Sequence, residues 1–253
     1  MIRASFTVAM ATAAGIAAAS AADIRVISAN GMREVIAETK DKFEQTTGHR
    51  LMVTVIETGE IKKRVLAGEK YDLIIVPSTT AAEFESMGNV MSGTATQLIR
   101  VDFGLAVPTD GPRPDTSTPE ALKRTFLAAK TVLITDPATG GISGVHLMDV
   151  LGKLGIAEEM KGKLVPQPGG GFHARRVVSG EADLAVQAEH EIRCTKGATF
   201  LPYPPAFQRT IVFVGGLGAS ATGAKATAAS AYLAYLTSAD TANTYSAHCL
   251  RRG

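Results

Sequence analysis

The fold is decided by residues 24–76, which read IRVISANGMREVIAETKDKFEQTTGHRLMVTVIETGEIKKRVLAGEKYDLIIV. Three runs rich in aliphatic and β-branched residues, at 24–28, 51–56 and 73–76, alternate with two segments whose apolar residues recur at helical spacing. Each helical segment stops at a glycine, and the last run has the continuous apolar character of a strand buried on both faces. The stretch therefore predicts a βαβαβ unit, the building block of a parallel sheet with helical crossovers.

The middle of the chain repeats this alternation. Residues 117–120 open a helix with a capping-box spacing and a proline near its first turn, and strand-like runs follow at 132–135 and 184–186. Two short segments echo each other, since GEKYDL at 68–73 and GEADL at 180–184 each place a helix-ending Gly-Glu and an aspartate before a buried strand. The echo predicts two lobes of similar construction.

Prolines indicate where the lobes join. Seven of the eleven prolines fall in the segments 108–119 and 202–205, and the chain then returns to a strand and an alanine-rich helix. We expect lobe I to comprise residues 23–104 and 207–253, with lobe II formed by residues 105–206 inserted between them. The predicted fold class is two α/β lobes joined by two crossings, with a ligand cleft between the lobes at the carboxyl ends of the strands.

Residues 1–22 are typical of a secretory signal peptide. Arg3 carries one positive charge, an uncharged alanine-rich stretch follows, and the segment ends in small residues. The apolar stretch is too short to span a bilayer, so we expect cleavage after Ala21 or Ala22 and a periplasmic protein. The alternative is an ordinary alanine-rich first helix. The most apolar later segment, 211–221, is also too short for a span and is interpreted as a buried strand.

Composition excludes several classes of protein. The 253 residues include 26 Lys and Arg against 24 Asp and Glu, which offers no basic surface for nucleic acid. A hydrophobic fraction of 45% excludes disorder. Cysteines tend to pair in an oxidising compartment, so we expect a Cys194–Cys249 disulfide, with two buried free thiols as the alternative.

Small and polar residues follow the predicted strands at the points where helices begin. The candidate ligand-binding residues at these points are Asn30, Gly31, Thr58, Gly59, Ser78, Thr139, Gly140 and Ser143. Free backbone N–H groups, short hydroxyls and positive helix ends favour an anion there, and glycine lets the backbone approach it closely. Helix capping alone explains any single cluster, whereas four such clusters together predict an anion site.

Familiar catalytic motifs are missing. The sequence contains no C-x-x-C, no H-E-x-x-H and no phosphate-binding G-x-x-x-x-G-K-[ST]. Nothing in the spacing of His146, His173, Glu189 and His190 requires a metal ion, and solvated surface histidines explain them better. We therefore expect neither a metal nor a cofactor.

Five segments carry a resemblance to a known family: VISANGM at 26–32, FEQTTG at 43–48, GEKYDLII at 68–75, TDP at 135–137 and GEADL at 180–184. They resemble the extracytoplasmic solute-binding proteins of ABC transporters, of type II, and most closely the molybdate-binding branch. The resemblance implies a periplasmic-binding-protein-like fold. It also implies a monomer that captures a small anion, either an oxyanion or a small carboxylate, and presents it to an ABC permease in the membrane.

The resemblance also assigns residues. Molybdate binders hold the oxyanion through a serine after the first strand and another after the second, and here Asn30 and Thr58 stand at these positions. Molybdate binders are also expected to carry a tyrosine after a late strand. Here the corresponding segment, which begins with Gln187, has no tyrosine, and we add Gln187 to the candidate ligand-binding residues. Glu57 and Glu189 would repel a dianion, unless they point away, receive a ligand hydroxyl or pair with an arginine.

A periplasmic aconitate isomerase resembles the same binding proteins, which supplies an alternative function. Moving a double bond in a small tricarboxylate requires a base that takes a proton and an acid that returns one at another carbon. The available groups are Glu57, His146, Glu189 and His190. We prefer the binding role, because a cleft lined by neutral donors needs no catalytic group to trap an anion.

Overall fold

The computed structural model describes residues 21–167, 171 and 173–253. Most of the predicted signal peptide, residues 1–20, therefore lies outside the described residues. In chain order the elements are β1 (Asp23–Ala29), α1 (Arg33–Thr47), β2 (Arg50–Ile56), α2 (Thr58–Leu66), β3 (Leu73–Pro77), α3 (Ser78–Ser86), β4 (Thr96–Val101), β5 (Phe103–Pro108), α4 (Pro119–Ala128), β6 (Val132–Thr135), α5 (Ile142–Lys153), α6 (Ala157–Met160), β7 (Leu164–Gln167), α7 (His173–Val178), β8 (Leu184–Ala188), α8 (Glu189–Arg193), β9 (Ala198–Pro202), β10 (Ile211–Leu217), α9 (Gly223–Thr237), α10 (Ala242–Ala247) and β11 (Arg251–Arg252). None of the helices in the described ranges is both long and apolar enough to cross a membrane.

The strands form two sheets, one in each lobe. The first has the order β11-β4-β10-β3-β1-β2 and the second the order β7-β6-β8-β5-β9. β1 runs parallel to β2 and β3, and β6 runs parallel to β7 and β8, while β10 and β5 are antiparallel to their neighbours. The predicted βαβαβ unit and the predicted fold class of two α/β lobes are thus confirmed.

The chain passes between the sheets twice. Asp102 alone separates β4 from β5, and the return lies between β9 and β10, where Pro204 and Pro205 stand. The first boundary was predicted after residue 104, whereas Phe103 and Gly104 already belong to β5 of the second sheet. The chain runs from one sheet to the other through a single residue, so this crossing contains no turn. The first proline cluster therefore lies beyond the crossing, after β5.

The echo between the lobes has a structural cause. The Arg25 backbone N–H donates to Asp72 Oδ2 at 2.8 Å, and those of Lys130 and Thr131 donate to Asp183 Oδ2 at 2.6 and 3.0 Å. Each aspartate precedes one strand and binds the backbone at the start of the parallel strand beside it. The same local bond therefore sets the strand starts in both lobes.

A disulfide joins the lobes close to the first crossing. Cys194 at the end of α8 is bonded to Cys249, which lies between α10 and β11, so the predicted pairing is confirmed. Beside it, Arg251 Nη2 donates to Asp102 Oδ2 at 2.6 Å and to Glu189 Oε2 at 2.7 Å. The lobes are therefore held together by two crossings, one covalent bond and one shared arginine.

Candidate functional site

A small cavity of about 50 Å³ lies between the lobes at the carboxyl ends of the parallel strands. Lobe I contributes the residues that follow β1 and β2, and lobe II contributes the ends of β6 and β8 and the first turns of α5 and α8. Its polar lining residues are Asn30, Glu57, Thr58, Thr135, Ser143 and Glu191. The volume suits a few water molecules or one small anion.

The lobes touch at the rim of this cavity. Gly59, in the first turn of α2, lies against Gly140, which precedes α5 in the other lobe. A Cβ atom on Gly59 would lie 2.7 Å from Gly140 Cα and equally close to the Thr139 carbonyl oxygen. Gly140 also has a φ of +77°, which favours glycine. Two glycines thus let the backbones meet and close the cleft.

Thr58 is the residue in the cavity that most directly points to a ligand. It opens α2, only 7% of its surface is exposed, and its Oγ1 has no hydrogen-bond partner among the described residues. A buried hydroxyl without a partner costs about 1–3 kcal/mol. The first N–H groups of a helix also lack partners within the helix and carry its positive end. Both features favour a bound hydrogen-bond acceptor.

Lobe II presents a pair of hydroxyl groups. Ser143, in the first turn of α5, donates to Thr135 Oγ1 at 3.0 Å, and both side chains are buried. Gly144 allows this approach, since a Cβ atom there would collide with the Thr135 carbonyl oxygen. The start of α5 is therefore packed directly on the end of β6, facing the start of α2 across the cavity.

Glu57 lines the cavity while paired with Asn30. Asn30 Nδ2 donates to Glu57 Oε1 at 2.6 Å, and Arg33 Nη2 donates to Asn30 Oδ1. Burial raises the pKa of the Glu57 carboxyl, although the Asn30 hydrogen bond and the Arg33 charge oppose that rise. The amide of Asn30 is thus occupied by a carboxyl group of its own lobe.

Glu191, like Thr135, is a polar residue of the cavity that was not predicted from the sequence. Glu191 lies deep between the lobes, and the part of its surface that remains accessible faces the cavity. Its Oε2 accepts from the Ala188 backbone N–H at 3.2 Å and from Gln187 Nε2 at 3.3 Å. Burial, the largest cause, raises the pKa of Glu191 to about 8. A glutamate three residues after a helix cap is the sequence signal that indicates this back-bonded position.

Two predicted acid–base residues beside Glu191 do not line the cavity. Glu189 accepts from Arg193 Nε and from Arg251 Nη2, both at 2.7 Å, so it pairs with arginines. His190 has a buried Nδ1 without a partner among the described atoms, and burial together with the charge of His248 lowers its pKa to about 4. Neither group is positioned to touch a ligand in the cavity.

Three further predicted residues also lie outside the cavity. His146 Nε2 is 2.9 Å from the Phe207 carbonyl oxygen at the second crossing, and burial lowers the pKa of the ring. The expectation of solvated surface histidines is wrong for His146 and His173, which are both buried. Ser78 begins α3 and is not among the residues that line the cavity. Gln187 is 1% exposed and supports the lining from behind, because its side chain binds both the start of α7 and the Glu191 carboxyl group.

The remaining predicted residues stay near the cleft. Asn30, Gly31, Thr58 and Ser143 line the cavity. Thr139 lines an adjoining groove of about 290 Å³, and Gly59 and Gly140 form the contact at the rim. Within the described ranges, no lysine or arginine lines the cavity, and no group of three or more potential metal ligands is found. An anion in this cavity would be held by neutral donors.

The fold and the cavity are those of a two-lobed α/β protein with a cleft between its lobes. Residues 24–251 match the family model of bacterial extracellular solute-binding proteins, and the chain belongs to that family. An aconitate isomerase from Pseudomonas sp is 27% identical over 237 residues, which are 90% of this chain and 87% of that protein. The molybdate-binding protein ModA of Azotobacter vinelandii is 26% identical over 176 residues, or 69% of this chain and 68% of that protein.

A solved structure extends the comparison. The sulfate-binding protein SubI from Mycobacterium tuberculosis superposes with a TM-score of 0.70 at 16% identity. The superposition covers 91% of this chain and 87% of that chain. A likeness at this level of identity establishes a shared fold.

Proposed function

We propose that this protein captures a small anion, an oxyanion or a small carboxylate, between its lobes and delivers it to an ABC permease in the membrane. The buried Thr58 hydroxyl, without a partner in the described structure and placed where α2 begins, carries the proposal. The opposed starts of α2 and α5 and the Ser143 hydroxyl support it. Release of the anion requires the lobes to separate, which we assign to a hinge at the two crossings.

Export to the periplasm is part of the proposal. The backbone N–H of Ala22 donates to His49 Nδ1 at 3.2 Å, and its carbonyl accepts from the Arg50 N–H at 2.9 Å. Ala22 is thus part of the folded protein. Removal of the signal peptide after Ala21 would keep both bonds, so we favour that cleavage site over the one after Ala22.

A thermal-shift panel tests the binding role. Molybdate, tungstate, sulfate, citrate and trans-aconitate are added separately to the purified protein, and the unfolding midpoint is recorded against the concentration of each anion. A ligand present at about 100 times its Kd stabilises the folded state by about 2.7 kcal/mol. A shift by at least one anion is expected. The absence of any shift across the panel would contradict the proposal.

Thr58→Val is expected to weaken binding of the selected anion roughly 10- to 100-fold, because a hydrogen bond to a charged group contributes about 1.5–3 kcal/mol. Valine keeps the shape of the side chain and removes the donor. The free energy of unfolding without ligand should not fall, since the hydroxyl has no partner among the described residues. Calorimetric titration measures the affinity, and Thr58→Ser, which keeps the hydroxyl, is the matched control that should bind like the parent protein.

One observation favours isomerase activity as a second candidate. Glu57 and Glu191 line the same cavity from opposite lobes, and the aconitate isomerase relative spans most of the chain. In its ionised form, Glu57 would take a proton from a carbon next to a carboxylate. Glu191, protonated at neutral pH, would return a proton at another carbon as the double bond moves.

The isomerase candidate predicts that the protein converts trans-aconitate to cis-aconitate. Proton NMR of the reaction mixture follows both isomers. Glu57→Gln should abolish turnover while trans-aconitate still binds, because glutamine removes the base and keeps the side chain's size. Binding of trans-aconitate without conversion by the parent protein would eliminate this candidate and leave the transport role.

A further inference from the structure

We propose that Glu191 contacts the bound anion as a neutral hydrogen-bond donor, so that the cavity binds its anion only while this carboxyl group holds a proton. The inference rests on the proposed function, since it concerns how the cavity holds the anion. It makes Glu191 a specificity-determining residue. A group that donates from a carboxylic acid recognises an acceptor such as an oxyanion or a carboxylate.

The position of Glu191 is the first observation. It lines the cavity from lobe II, while Thr58 and Glu57 line it from lobe I. An anion that accepts from the free Thr58 hydroxyl in a cavity of about 50 Å³ therefore lies close to the Glu191 carboxyl group. If that group were ionised, it would repel the anion; protonated, it supplies a donor.

The hydrogen bonds of Glu191 leave one oxygen for the proton. Both donors from the protein, the Ala188 N–H and Gln187 Nε2, go to Oε2. Gln187 is fixed in turn, since its Oε1 accepts from the Ala174 N–H at 2.7 Å. An oxygen that accepts two hydrogen bonds is a poor place for a proton, so the proton resides on Oε1.

The charges around Glu191 favour its neutral form. Across the cleft it faces Glu34 and Glu57, which are both acidic, and Arg33 is the cation that acts on it. The Arg33 guanidinium already donates to the Asn30 side chain. Burial, helped by the two neighbouring carboxylates, raises the pKa of Glu191 to about 8 and outweighs the opposing effects of the Ala188 hydrogen bond and of Arg33.

The other titratable groups of α8 turn elsewhere. Glu189 and Arg193 pair with each other, and Glu189 also pairs with Arg251. His190 interacts with His248, and burial lowers its pKa to about 4. Between pH 7 and pH 9.5, the titration of Glu191 therefore changes the charge of the cavity.

The sign of the pH dependence follows from the raised pKa. The ligand-free protein loses the Glu191 proton as the pH rises through about 8, and the deprotonated form does not bind the anion. Apparent affinity scales with the fraction of binding-competent protein, so it should be about tenfold weaker at pH 9 than at pH 7. Replacing the proton-dependent donor by a permanent one removes this dependence.

Calorimetric titrations with molybdate and with trans-aconitate, both fully ionised above pH 7, test the inference. They compare the parent protein, Glu191→Gln and the surface control Glu159→Gln at several values between pH 7 and pH 9.5. The parent protein and the control should lose affinity about tenfold from pH 7 to pH 9. Glu191→Gln, whose amide donates at every pH, should show the same affinity at pH 7 and at pH 9.

Proton uptake provides a measurement that needs no variant. Titrations of the parent protein in buffers of different ionisation enthalpy should report about 0.9 proton taken up per anion at pH 9 and about 0.1 at pH 7. Equal affinities at the two pH values with no proton uptake would overturn the inference, as would the same loss of affinity in Glu191→Gln. Both results leave the binding role standing. A parent protein that binds neither probe nor any other anion of the panel at pH 7 would overturn the proposed function itself.

Discussion

Gly59→Ala is expected to weaken binding of the anion roughly 10- to 100-fold, because overpacking a tight contact costs about 1–3 kcal/mol. The new Cβ atom would lie 2.7 Å from Gly140 Cα in the other lobe, so the lobes must stay apart where they now touch. The open form has no such conflict. Alanine also favours the helical backbone over glycine by about 0.5–1 kcal/mol, so the unfolding midpoint without ligand should hold or rise.

Two measurements separate closure from folding. Calorimetric titration gives the affinity of Gly59→Ala, and small-angle X-ray scattering with saturating anion reports whether the lobes still close. Gly152→Ala is the matched control, since Gly152 lies in α5 and a Cβ atom there meets nothing within 4 Å. The control should bind as the parent protein does. Unchanged affinity in Gly59→Ala would mean that the anion can be held without the glycine contact.

The parallel strands of both sheets and residues on both sides of the cavity could be predicted from the sequence. Apolar runs such as 73–76 are expected to form buried strands. In α/β folds, the polar residues that follow such strands lie together at one edge of the sheet. Asn30, Thr58 and Ser143 were predicted on this basis, and the structure brings all three to one cavity. Their predicted binding role awaits the titrations described above.

Glu191 could not be singled out because it depends on the exact start of a short helix. The sequence indicates a strand at 184–186 and three titratable residues in a row after it, at 189–191. Successive side chains on a helix point about 100° apart, so a shift of one residue changes which of the three faces the cleft. The structure starts α8 at Glu189, which turns Glu191 inward and leaves Glu189 with its arginine partners.

The contact between the lobes was equally hidden. Gly59 and Gly140 were predicted to approach a ligand, whereas the structure shows each glycine making room for the other. The sequence shows that a glycine permits close approach by another group, but it does not show which group approaches. The crossing at Asp102 was not recognised either. It is a single residue between two strands of different sheets, and no turn residues mark it in the sequence.

Loss of the Cys194–Cys249 disulfide is expected to reduce the free energy of unfolding by about 4 kcal/mol, the chain-entropy value for cysteines 55 residues apart. For a protein of this size, the loss corresponds to a midpoint lower by roughly 8–16 °C. The bond also fixes the end of α8, the helix that carries Glu191 into the cavity. We therefore expect loss of the disulfide to weaken anion binding as well, by a smaller free energy than it removes from the stability of the fold.

The double variant Cys194→Ala and Cys249→Ala separates the bond from other effects of a reducing agent. Cys249 has a φ of +55°, and alanine retains the same backbone strain, so the variant removes the bond alone. In dithiothreitol, the thermal unfolding midpoint of the parent protein should fall to that of the variant. The midpoint of the variant should not change with the reductant. A parent protein that unfolds at one midpoint with and without reductant, although its thiols become alkylatable, would show that the crossings and the Arg251 contacts already hold the lobes together.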